Sequence, residues 1–120
     1  MREIKFRAWD GEQIVYPDYI DRKGIAHWTE NSIPETSDKV MQYTGLKDKN
    51  GVDIFEGDVV KCYYGGSEKG AHDTIEFKNG AFCLRHRGVT IKEMLEDDGV
   101  YSSELEIIGN IYSNPELLIP

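Results

Sequence analysis

The chain has 120 residues, with 14 Lys and Arg against 22 Asp and Glu, for a formal net charge of −8. That balance repels phosphate backbones and anionic lipid, so nucleic acid is an unlikely partner overall and no membrane association is expected. A chain of this length buries about two-thirds of its surface and folds without disulfides.

No apolar run approaches the roughly 20 residues a membrane span requires. Met1–Arg7 alternates charge with apolar residues and has no signal-peptide core, so a cytoplasmic protein is expected. Ile4, Phe6 and Ala8 alternating with Lys5, Arg7 and Trp9 predict a half-buried strand. Asp10-Gly11 then makes a hairpin turn, and Ile14-Val15-Tyr16 a return strand ended by Pro17. Asp21-Arg22-Lys23-Gly24 is a second polar turn, leading into Ile25-Ala26-His27-Trp28. Residues 31–38 contain Pro34 and little apolar content, and read as a loop or linker. The expected organisation is therefore an N-terminal β subdomain with its linker over 1–40, and a second domain over 41–120.

The second part opens with Asn50-Gly51, where an Asn-Gly pair predicts a type I′ hairpin turn. Val52, Ile54 and Phe55 follow, Glu56-Gly57-Asp58 bends the chain, and Val59–Tyr64 reads as a strand of branched and aromatic residues. Counted as a calcium loop from Asp48, the same stretch places Val52, Asp53 and Val59 where a ligand, Gly and Glu are needed, so the match fails. Gly65–Gly70 reads as a hairpin tip; it lacks the Gly-Lys-Ser/Thr of a phosphate loop.

Thr74–Lys78, Asn79-Gly80 and Ala81–Arg85 form the second clear hairpin, with Ile75 and Phe77 facing one way and Glu76 and Lys78 the other. Thr90–Asp98 is expected as a short helix or a loop with one helical turn, stopped by Gly99. Leu105–Tyr112 is the last strand, and its Gly109 marks a bulge or a close approach between chains. Asn114-Pro115 predicts an N-capped single turn, with Leu117 and Leu118 available to plug one end of a barrel.

Catalytic chemistry has no positive signal. Cys62 and Cys83, with 20 residues between them, lie inside strands and are expected as buried, reduced thiols. His27, His72 and His86 sit in separate segments without metal-ligand spacing, and no nucleophile is grouped with a base. No catalytic residue, metal or cofactor is therefore assigned, and the chain is read as a non-enzyme. The one candidate interaction surface joins Tyr63 and Tyr64 at a strand end to Arg85 and Arg87, the densest positive patch. Aromatic residues beside Arg could stack on bases or grip an acidic peptide. The competing reading has one tyrosine in the core and the arginines balancing surface carboxylates. Trp9 and Trp28 are expected in the core or at a subunit interface.

Met1–Asp10, Met41–Gly51, Glu56–Val60, Ile107–Tyr112 and Asn114–Leu117 together resemble the YopX family of small phage and prophage proteins, in the family's order. Residues 17–38 carry no such match. The resemblance implies an all-β fold, with an SH3-like small barrel in the C-terminal part and a smaller N-terminal β-hairpin subdomain that serves self-association. It brings no catalytic residues. The expected function is thus a non-catalytic β-barrel interaction module in a bacterial host cell, a homo-oligomer with a host or phage protein as possible partner. The alternative is a nucleic-acid-associated regulator, or an acidic mimic of nucleic acid acting on a host protein.

Overall fold

Period-two patterning is realised as eleven β-strands in the computed structural model, which describes residues 3–63, 71–86, 88–92 and 104–118, without the side chains of Tyr63, Ala71 and Glu104. The fold is mainly β and includes a curled, half-barrel sheet. No helix among the described residues is long and apolar enough to cross a membrane. The chain divides into two compact units, Met1–Tyr43 and Thr44–Pro120.

In the first unit β1 (Phe6–Trp9) lies between β2 (Ile14–Val15) and the start of β6 (Val40–Lys47). Trp9 stands opposite Ile14, so the Asp10 turn is a four-residue loop. Its shape comes from the Asp10 carboxylate, which accepts the backbone N–H groups of Glu12 and Gln13. The strand prediction holds for β1, but the strict alternation does not. Arg7, expected on the polar face, is buried beside Ala8, while Ile4 is exposed.

β3 (Tyr19–Ile20), β4 (Ala26–Glu30) and β5 (Ile33–Ser37) form a separate antiparallel sheet. Ala26 and Trp28 point inward and pack with Ala8, supported by Val15, Ile20 and Val40. The presence of β5 corrects the linker reading of residues 31–38. Asn31 and Ser32 both hold positive φ, 52° and 65°, which closes a two-residue hairpin of the primed type. Glu30 and Ile33 flank that turn, so Pro34 falls opposite Thr29 in the next, non-hydrogen-bonded pair. There its missing N–H removes no ladder bond, which is why a proline is tolerated on this edge strand.

In the second unit the end of β6 pairs with β7 (Asp53–Phe55). A second sheet runs in the order β10-β9-β8-β11, with β8 Asp58–Tyr63, β9 Ala71–Lys78, β10 Ala81–Leu84 and β11 Glu104–Asn110. The core is Ile54, Val60, Cys62, Ile75, Leu84, Ile91 and Leu105. Each such side chain contributes about 1.5–3 kcal/mol when buried, enough to hold the unit without cross-links. Neither cysteine is in a disulfide, and both are buried as expected.

The two Asn-Gly turns differ. Asn79 and Gly80 have φ of 53° and 81°, giving the predicted type I′ hairpin with Lys78 opposite Ala81. At Asn50-Gly51 only Gly51 has positive φ, so the type I′ expectation is corrected to a three-residue loop. Asp48 causes the change: its backbone pairs with Val52 and Gly51, and its Oδ1 accepts the N–H groups of Asn50 and Val52.

At the C-terminus the ladder between β11 and β8 shifts register between Ile107 and Gly109, the anticipated bulge. A single 3-10 turn, Pro115–Leu118, follows. Asn114 does not cap it through its side chain. Its carbonyl accepts Leu117 N–H, while its Oδ1 reaches back to Asn110 N–H at 3.2 Å. None of the four turn residues is buried and Leu118 is exposed, so the expected plug is not formed by these leucines. Ile91 and Lys92 are helical, but the rest of the predicted helix over 90–98 and the Gly65–Gly70 loop lie outside the described residues.

Candidate functional site

The β9–β10 hairpin has two chemically distinct faces, because successive side chains alternate sides. Ile75 and Leu84 enter the core from one face. Phe77 lies across from Phe82 further along that face, in edge contact with ring centroids 5.0 Å apart, and is 52% exposed. The sequence reading placed Phe77 correctly on the side of Ile75, but there the sheet already extends past its core.

The opposite face carries Glu76 and Lys78 from β9 and Ala81 and Cys83 from β10, with Cys83 directly opposite Glu76. Together with Arg85 and Thr90 they line a groove of about 270 Å³. One end is fixed by backbone pairing: Arg85 N–H donates to Thr74 carbonyl at 3.0 Å, and Cys83 bridges Thr90. Asp73, buried and acidic, accepts the N–H groups of Thr74 at 2.8 Å and His86 at 3.0 Å through Oδ1. A buried carboxylate thus holds the turn that presents Arg85.

Burial pushes the Cys83 thiol above its ordinary range, and the neighbouring Glu76 carboxylate pushes it further, outweighing the opposite pull of Lys78. At neutral pH Cys83 is therefore a protonated part of the groove wall and a poor nucleophile. Lys78 and Arg85 are exposed, and neither forms an ion pair among the described residues. The groove combines two exposed cations, one carboxylate and a thiol wall, an arrangement suited to binding.

Of the four residues singled out from sequence, Arg85 lies at this groove. Tyr63 is in β8, but its side chain, Tyr64 and Arg87 lie outside the described residues. The sequence reading missed Lys78 and Cys83 as groove residues. Period two around Asn79-Gly80 could have placed them with Glu76 on one face.

A second constellation, also unanticipated, lies in the first unit. His27 Nε2 is 2.8 Å from Asp21 Oδ2, and its ring stacks on Tyr19 at 4.5 Å. The His27 contact, aided by Ile25 N–H, lowers the Asp21 carboxyl to about 2. Because Asp21 also accepts Lys23 and Ile25 N–H through Oδ1, this group ties the β3–β4 turn to its sheet. A shallow depression of about 420 Å³ at Trp9, Asp10, Ser37, Asp38 and Lys39 is less suited to a ligand. Asp10 is engaged by its own loop, and Asp38 faces Lys39 at 3.6 Å. No group of three or more His, Cys, Asp or Glu among the described residues could hold a metal ion.

The family model described as YopX protein matches residues 5–119. The chain belongs to the YopX family. Protein EF1440 from Enterococcus faecalis, a crystal structure, is 28% identical, with 98% of this chain and 99% of that chain covered at a TM-score of 0.63. Protein yopX from Bacillus subtilis, also solved by X-ray crystallography, is 23% identical over 98% of both chains, with a TM-score of 0.66. The latter likeness is one of fold. Comparison with curated proteins gives no match. YopX membership thus extends across both units.

Proposed function

We infer that this YopX-family chain is a non-catalytic interaction module of a phage- or prophage-carrying bacterial cytoplasm, its second unit an SH3-like barrel and its first unit a self-association segment. The observation that carries the reading is the anchored backbone at Arg85, which with exposed Lys78 lines a groove where the Cys83 thiol stays protonated. A backbone already held in place leaves only the side chains to be ordered when a partner arrives. Self-association is supported by the exposure of Tyr16, Tyr19 and Ile33 in the first unit, at 70%, 58% and 58%. Exposed tyrosine rings are enriched at protein contacts. Light scattering at micromolar concentration tests the assembly. A mass of two or more 13.7 kDa chains is expected, and a monomer removes the self-association part.

A further inference from the structure

We propose that the groove of Glu76, Lys78, Cys83, Arg85 and Thr90 binds the carboxylate side chains of an acidic peptide segment. The proposal rests on the reading of this surface as a partner-binding one, and names the partner's chemistry.

Three observations favour that occupant. First, carboxylates outnumber cations in this chain, 22 to 14, yet the two cations at this groove form no ion pair among the described residues. Arg85 offers a planar fork that matches a carboxylate with two parallel hydrogen bonds, and Lys78 offers a compact second charge. Second, Glu76 stands directly opposite Cys83 in the strand register and lines the groove beside Lys78. A carboxylate there opposes a continuous phosphate backbone, whereas a peptide brings its own N–H donors to it. Third, about 270 Å³ is at the small end of ligand pockets, room for one or two side chains.

Exposure at Lys78 and Arg85 makes the binding weak and salt-sensitive, because charges on a wet surface are screened. The Thr74 carbonyl accepts Arg85 N–H and the Asp73 carboxylate accepts His86 N–H, which holds the backbone here, so occupancy should not reshape the hairpin.

The test is an amide-resolved NMR titration of the full chain with a hexaglutamate peptide blocked at both ends. The comparison probes are blocked hexaglutamine, inorganic phosphate and a thymidine oligonucleotide. Saturable shifts at Glu76, Lys78, Cys83 and Arg85 are expected with hexaglutamate alone. Arg85→Ala and Lys78→Ala should each weaken it by roughly fivefold, with Lys23→Ala, in the other unit, unchanged. Dispersed spectra of the variants establish that they are folded. Silence with hexaglutamate, or equal shifts with hexaglutamine or phosphate, overturns the proposal. Tighter binding of the oligonucleotide at the same amides also overturns it, while leaving the groove a binding surface. Light scattering on the same samples separates the two readings: an oligomer that ignores hexaglutamate refutes the occupant and leaves the interaction module standing.

Discussion

Asp48 Oδ2 accepts the backbone N–H of Ile107 at 3.1 Å, across 59 positions of sequence. The same carboxylate uses Oδ1 for Asn50 and Val52, and the adjoining Lys49 N–H donates to Leu105 carbonyl at 2.9 Å. The tip of the β6–β7 hairpin thereby occupies part of the outer edge of β11, where unpaired backbone groups would otherwise invite another strand. Asp48→Ala orphans three donors at a site only 7% exposed. At about 1–3 kcal/mol each, a loss of roughly 3 kcal/mol or more is expected. Asp48→Asn, which keeps one acceptor oxygen, should lose less. Urea unfolding measures both, and an unchanged midpoint for the alanine variant would contradict this role.

The two Asn-Gly turns should respond differently to the same substitution. Asn79→Ala puts an alanine at a φ of 53°, at a cost of about 1–2 kcal/mol, whereas Asn79→Gly should be nearly neutral. Asn50 is not in the left-handed region, so Asn50→Ala should stay within about 0.5 kcal/mol. Thermal unfolding of the three variants decides between this pairing and two equivalent type I′ turns.

That contrast shows how much of the fold was legible. At Asn79-Gly80 the turn is set by the two residues themselves, so local sequence suffices. At Asn50-Gly51 a carboxylate two positions upstream captures the backbone, and its second oxygen is committed to β11, a partner no local window contains. Asn31-Ser32 is a weak turn signal because Ser rarely accepts positive φ, and Pro34 masks a strand that its position on an edge permits. The site was legible in part for a related reason. Charge density pointed to Arg85, but that Asp73 would fix its turn, or that Cys83 would wall a groove, depends on register between strands.

Acid stability should depend on Asp21. Its carboxyl sits at about 2, against an ordinary 3.8, chiefly through the hydrogen bond with His27. A depressed carboxyl contributes stability that is fully present above 3.8 and is lost as pH falls through about 2. Asp21→Asn removes that contribution, so its stability relative to wild type should be lower above pH 3.8 and converge towards pH 2. Denaturant midpoints taken across that window test the sign; a constant difference would exclude the linkage.

Cys83 has the opposite sign. Its thiol is raised above 9.0, so the protonated form is favoured by folding, and the stability this brings is lost as pH rises beyond 9. Alkylation by iodoacetamide should accordingly lag behind a free cysteine at pH 8 to 9 in the native chain and match it in urea. Cys62→Ser isolates the Cys83 signal. Rapid native labelling at pH 8 would show a thiolate and undo the picture of an inert groove wall.

Gly109 and Asn114 form a pair whose coupling can be measured. A Cβ at Gly109 would lie 2.7 Å from Asn114 Cγ and 3.1 Å from its Cβ. The absent side chain leaves space for Asn114 to fold back and accept Asn110 N–H just past the bulge. Gly109→Ala should therefore expel the Asn114 side chain and cost about 1–3 kcal/mol through crowding and the lost bond. Asn114→Ala loses that bond and a long, exposed one from its Nδ2 to Glu116, about 1 kcal/mol together. Because both changes break the same contact, the double variant should be less destabilised than the sum, with a coupling of 0.5 kcal/mol or more on the usual scale of about 0.5–3 kcal/mol for touching residues. Strict additivity in a double-mutant cycle would mean that Gly109 is required by the backbone of the bulge, and that its closeness to Asn114 is incidental.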